Sequence, residues 1–169
     1  MKAAVHVAGI FAATLFAAAG PALAGEAASL AGLDECIAAA LQQRPGVLFG
    51  WRVVNEPPQG VYKVSVLSED GRIGDADCSE GTMNSLRFEN RLGLRRIDRY
   101  REISLAEAKA RNTAPLLFAG TIKLTSMEID TNLLGKLSYE YRMLLPTGHR
   151  AMSQVDVMNG ALSYAEARE

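Results

Sequence analysis

The sequence predicts an α+β protein of two tandem repeats, each one helix packed on a small antiparallel β-meander of three or four strands. Three observations carry that expectation. Tyr62-Lys-Val-Ser-Val-Leu-Ser-Glu-Asp-Gly71 is echoed by Tyr139-Glu-Tyr-Arg-Met-Leu-Leu-Pro-Thr-Gly148, each an apolar alternation that ends at a turn glycine with Arg72 or His149 behind it. A second matched pair follows, Asp77-x-x-x-Gly81 and Asp156-x-x-x-Gly160. Each copy is also preceded by helix signals, and self-similarity at this spacing sets architecture before any local pattern does.

Residues 1–24 read as a signal peptide. Lys2 supplies a positive charge, Val5 to Ala19 is predominantly apolar, Gly20-Pro21 breaks a helix, and Ala22-Leu23-Ala24 offers the small-x-small pattern of a cleavage site. A retained membrane helix is the competing reading, since the apolar stretch is about 20 residues, just enough to span a bilayer. With cleavage after Ala24 the chain is periplasmic, without stable membrane insertion. It then holds 17 basic and 19 acidic residues, because Lys2 is the only charge removed. So balanced a charge argues against nucleic acid as the main partner, since phosphate neutralisation needs a net basic surface.

Gly25 to Gly32 is expected to be a flexible leader. The first repeat spans 33–89. Leu33, Cys36, Ile37, Ala40 and Leu41 form the i, i+3, i+4 stripe of a helix with one buried face, which Pro45-Gly46 ends. Val47 to Asn55 is rich in β-branched and aromatic residues and reads as a strand closed by Pro57-Pro58. From Val61 to Leu67, Tyr62, Val64 and Val66 take one face and Lys63 and Ser65 the other. Arg72 to Cys78 and Thr82 to Glu89 complete the meander.

Residues 90–102 are a basic linker. Arg95, Arg96 and Arg99 stand among its five arginines, interrupted by Leu92, Leu94, Ile97 and Tyr100. They read either as a docking strip for an acidic partner or as solvated charges paired with Glu89, Asp98 and Glu102; the field of so few charges is modest at physiological salt.

The second repeat spans 103–169. Ser104-Leu-Ala-Glu107 is a capping-box pattern, in which serine and glutamate satisfy helix-start amides reciprocally. Strands follow over Phe118 to Asp130, Lys136 to Leu145, His149 to Val157 and Ala161 to Ala165. Tyr139, Tyr141, Met143 and Leu145 share a face opposite Glu140 and Arg142.

Cys36 and Cys78 are the only cysteines. An isolated pair in an exported chain is most simply a disulfide. Zinc needs four ligands, and after cleavage only His149 remains among the histidines; thiol redox chemistry favours a close Cys-x-x-Cys, which is absent. No nucleophile elbow, metalloprotease helix or phosphate-binding loop occurs, so no catalytic, cofactor-binding or metal-binding residue is assigned and an enzyme is not expected. Asp77 and Asp156 fit turn aspartates that accept from nearby amides. Trp51 shares strand parity with Phe49 and Val53, which predicts a core residue; exposed, it would be an interface anchor.

These residues resemble the PepSY family. The second unit supplies Ser104-Leu105-Ala106-Glu107-Ala108 and Val155-Asp156-Val-Met-Asn-Gly160. The first supplies Pro45-Gly46, Tyr62-Lys63-Val64, Asp70-Gly71 and Ala76-Asp77-Cys-Ser-Glu-Gly81. Neither copy holds the whole pattern: Gly32 stands at the first helix start, and Pro115-Leu116 breaks the second helix. The resemblance implies a non-catalytic module outside the cytoplasm that binds another envelope protein, a peptidase or a sensor, and inhibits or modulates it. The tandem plan is also similar to that of secreted β-lactamase inhibitory proteins, without a residue-level match. A small-ligand or ion-binding envelope stress sensor is the alternative, and a pocket between the repeats lined by Tyr139 and Tyr141 is the feature that would favour it.

Overall fold

The structure, a computed structural model, describes residues 25–56, 60–79, 82–89, 103, 106–131 and 135–168. The predicted signal peptide and the linker arginines Arg95, Arg96 and Arg99 lie outside the described residues. The elements run β1 (Glu26–Ala27), α1 (Leu33–Gln43), β2 (Gly46–Asn55), β3 (Val61–Ser68), β4 (Ile73–Ser79), β5 (Thr82–Glu89), α2 (Glu107–Thr113), β6 (Thr121–Thr131), β7 (Leu137–Leu144), β8 (Arg150–Asp156) and β9 (Leu162–Arg168).

Eight of these strands form one antiparallel sheet, ordered β5-β4-β3-β2-β6-β7-β8-β9. That corrects the expected architecture. The protein is mostly β, with two short helices among the described residues, and does not consist of two separate helix-on-meander repeats. The join lies between β2 and β6, where Gly50, Trp51 and Arg52 pair with Glu128, Met127 and Ser126. The physical reason is the fate of strand edges. An unpaired edge exposes a row of backbone donors and acceptors, and joining β2 to β6 removes two such edges while bringing Trp51 and Met127 into one core. Sequence periodicity reports which face of a strand is buried, not which edge finds a partner.

Gly50 makes the join possible. A Cβ there would lie 2.7 Å from the backbone oxygen of Met127, closer than real contacts allow. Ahead of this short pairing, β6 takes a different neighbour: β1 runs parallel to it, with Glu26 opposite Thr121 and Ala27 opposite Ile122. The backbone N–H of Ala28 donates to Ile122 O at 2.8 Å. The segment read as a flexible leader is thus anchored to the sheet.

The duplicated sequence stretches fold into the same turn, bond for bond. Gly71 N donates to Ser68 O and Ser68 N to Arg72 O, both at 2.9 Å; Gly148 N donates to Leu145 O and Leu145 N to His149 O, again at 2.9 Å. Gly71 and Gly148 have φ of 80° and 84°, the left-handed region that a glycine enters without steric cost. Each turn ties a tyrosine-led strand to its successor, β3 to β4 and β7 to β8.

One face of the sheet carries the core. Tyr62, Val64 and Val66 of β3, Trp51 of β2, Met127 of β6, and Tyr139, Tyr141 and Met143 of β7 are all buried. Helix α1 packs on this face through Leu33, Cys36 and Ala40, the buried part of its predicted stripe. Its Cys36 is disulfide-bonded to Cys78 of β4, which fastens helix to sheet. Helix α2 begins at Glu107, and Ala106 before it makes no side-chain cap. Ser104 of the expected capping box lies outside the described residues.

Candidate protein-binding surface

Beneath α2 the covered face holds a buried polar network. Glu107, the first residue of α2, turns its carboxylate inward, and Trp51 Nε1 donates to Glu107 Oε1 at 2.8 Å. The Tyr141 hydroxyl lies 3.1 Å from the same oxygen and 3.2 Å from the Glu107 backbone oxygen. Arg111, one turn along α2, pairs with Glu107 and reaches Asp34 of α1 at 2.9 Å. Its guanidinium carbon stands 5.6 Å from the Trp51 ring centroid, within cation–π range.

The titration shifts follow from this burial. Desolvation, then the Glu107 charge, raises the Tyr139 phenol to about 12 and the Tyr141 phenol still further. Burial pulls the Arg111 guanidinium down, but its hydrogen bonds and charge pairing with Glu107 and Asp34 outweigh that and raise it. The network locks both helices to the β2–β6 join: its donors and acceptors satisfy one another, as buried polar groups require.

The opposite face is the open one. Successive residues of a strand point to opposite faces, so the neighbours of Trp51, Val64, Met127 and Tyr141 project away from the helices. Register places them in two rows. One runs Asp77, Lys63, Arg52, Ser126, Arg142, Met152 and Glu166 across seven strands; the other runs Asp75, Ser65, Gly50, Glu128, Glu140 and Gln154 across six. A depression of about 260 Å³ lies over the join, with Gly50, Ser65 and Ser126 as its small residues and Arg52, Lys63 and Arg142 as its cations. Lys63 Nζ stands 3.5 Å from Asp75, whose Oδ1 also accepts from Ser65 Oγ at 2.5 Å, and Arg142 Nε donates to Glu140 at 3.2 Å.

Of the residues singled out in the sequence, Trp51 is 2% exposed and its indole N–H is engaged with Glu107, so it serves the core. Asp156 Oδ1 accepts from the amides of Met158 and Asn159 at 2.8 and 3.0 Å, the turn role expected of it. Its sequence counterpart Asp77 is instead exposed within β4, opposite Lys63. His149 is exposed behind its turn glycine. Among the described residues no group of three or more His, Cys, Asp or Glu is placed to hold a metal ion, and no helix is long and apolar enough to cross a membrane.

Sequence reasoning assigned Glu107 to a cap and did not find its partnership with Arg111. The available signal was the buried stripe of α2, in which Glu107 and Arg111, spaced i and i+4, alternate with Ala110 and Ala114. A second concavity, about 360 Å³, lies between α1 and α2. Ile37, Leu41, Leu48, Ile103 and Tyr139 line it, with Asp34 and Glu107 at its wall.

Fold and surface together define a disulfide-closed, single-sheet protein with one covered and one open face. The Cys36–Cys78 bond is that of an exported protein, since such bonds persist in oxidising compartments. No family model matches the chain, and no curated protein does. A crystal structure described as a "putative lipoprotein" from Clostridium difficile 630 matches at a TM-score of 0.46 and 12% identity, over 72% of this chain and 82% of that one. Likeness at that level says nothing about function.

Proposed function

We propose that this chain is a periplasmic, non-catalytic protein-binding module whose open sheet face engages another envelope protein. The observation that carries the reading is the asymmetry of the sheet: helices cover one face, and the other presents registered rows of charged side chains around a depression. Charged rows of this kind fix orientation and partner choice in protein interfaces. The predicted signal peptide, cleaved after Ala24, supports the compartment. The short motifs shared with PepSY domains support a peptidase or sensor as the partner, inhibited or modulated by the contact.

The test places a photo-crosslinking residue at Gln154 on the open face and, separately, at Glu35 on exposed α1, in the exported chain. Recovery of one envelope protein from the first position and not the second is the expected result. Equal recovery from both, or from neither, would remove the open face as the binding surface.

The cleft between α1 and α2 favours a second reading, a small-ligand sensor. Its volume and apolar lining suit a small amphipathic molecule. Thermal denaturation across a panel of such compounds separates the readings, because only a ligand of the folded state raises the melting temperature.

A further inference from the structure

Resting on the open-face reading, we infer that the row Lys63–Arg52–Ser126–Arg142 is a carboxylate-binding strip that seats an acidic side chain of the partner polypeptide. Arg52 carries the argument. It stands directly opposite Lys63 in the β2–β3 ladder, and like charges in that relation are destabilising. Lys63 is relieved by Asp75 and Arg142 by Glu140, whereas Arg52 makes no ion pair among the described residues. Its other neighbour, across the β2–β6 join, is Ser126, and beyond that comes Arg142. Two guanidinium groups thus flank a hydroxyl donor across three adjacent strands, about 10 Å apart at the backbone at the usual strand spacing.

Guanidinium forks match carboxylates geometrically and hold them with charge-assisted hydrogen bonds. The depression over Gly50 and Ser65 leaves room for the incoming side chain, because neither projects a large group there. The acids of the neighbouring row are in part committed: Asp75 holds Lys63 and Ser65, and Glu140 holds Arg142. The uncompensated cation at the centre therefore selects an acidic residue of the partner, and the flanking Glu128 and Glu140 select against an extended acidic tract. A single Asp or Glu bordered by neutral or basic residues is the complementary element.

The experiment is an NMR titration of isotope-labelled chain 25–169 with the capped peptide Gly-Ser-Glu-Ser-Gly, its Gln counterpart, and succinate. Shift changes at Arg52, Ser126 and Arg142 with the Glu peptide, at least tenfold weaker with the Gln peptide and abolished in Arg52→Ala, are expected. Arg150→Ala, exposed at the start of β8 outside the row, should bind as the parent does. Changes scattered over all surface cations, or binding that survives Arg52→Ala, would overturn the strip. Succinate matching the peptide at equal carboxylate concentration would overturn its assignment to a polypeptide. Crosslinking at Gln154 that persists in Arg52→Glu would leave the open face as the binding surface while removing the strip from it, so the two proposals fail separately.

Discussion

Trp51 and Glu107, 56 residues apart in the chain, are joined by a buried hydrogen bond of 2.8 Å. It runs from the β2–β6 join of the sheet to the first residue of α2. The same carboxylate serves Tyr141 and Arg111, so one side chain sets the position of a helix, the packing of the join and the neutralisation of a largely buried guanidinium.

Replacing Glu107 should therefore be costly. Glu107→Ala leaves Arg111 buried beside an empty site and leaves Trp51 Nε1 and the Tyr141 hydroxyl without that acceptor. Breaking a buried pair by removing one partner costs about 3–5 kcal/mol, and Glu107→Gln, which keeps an acceptor, should cost less. Urea unfolding followed by the fluorescence of the single tryptophan measures both, with a red-shifted native spectrum expected for Glu107→Ala. Wild-type stability in that variant would show that the network contributes nothing net.

Gly50→Ala tests the join from the other side. The added methyl meets backbone rather than a flexible side chain, so β2 and β6 must separate or shift, at a cost of about 1–3 kcal/mol. Gly148→Ala has open space around it and should cost about 1–2 kcal/mol through its left-handed backbone alone. Hydrogen exchange distinguishes the mechanisms. Gly50→Ala should lower protection at Trp51, Met127 and Glu128, and Gly148→Ala should lower it near Leu145 and His149.

The turns were legible in the sequence because they are local. Strand alternation leading to a glycine in the left-handed region specifies the hairpins after β3 and β7 without reference to the rest of the chain. The same alternation placed Lys63, Ser65, Glu140 and Arg142 on the face away from the tyrosines, where the open surface lies. Arg52, Ser126 and Glu128 could not be added to it, because only the long-range pairing of β2 with β6 brings them into register. Glu107 was obscured for a related reason: Ser104-x-x-Glu107 is a sufficient local pattern for a cap, and the competing partner, Trp51, is distant in sequence. Two repeats, each with its own small sheet, were expected because nothing in Gly50-Trp51-Arg52 names its strand partner.

Reduction should weaken the protein without dissolving its sheet. The Cys36–Cys78 bond closes a separation of 42 residues, worth ~4 kcal/mol in the chain-entropy model. The Cys36→Ala/Cys78→Ala double variant should lose most of that in thermal or urea unfolding while retaining its far-ultraviolet spectrum. Intact mass after alkylation without reductant should show no thiol modified; two labelled thiols would mean that the bond is not formed in the isolated protein.

Alkaline pH should unfold the chain through its buried phenols. Tyr139 is raised to about 12 by desolvation and the nearby Glu107 charge, against an ordinary value of 10.0, and Tyr141 is raised by the same causes. A raised pKa means that the folded protein keeps a proton the unfolded chain releases. Their contribution to stability is thus complete below pH 10 and is lost as pH climbs from 10 toward 12 and above. Phenolate absorbance and tryptophan fluorescence recorded together from pH 8 to 13 should show Tyr139 and Tyr141 ionising as the fluorescence reports unfolding. The Tyr139→Phe/Tyr141→Phe variant should show a smaller late absorbance rise, the remainder coming from Tyr62, whose buried phenol desolvation also raises. Ionisation of both tyrosines near pH 10 with the fluorescence unchanged would show that neither is held neutral by the fold.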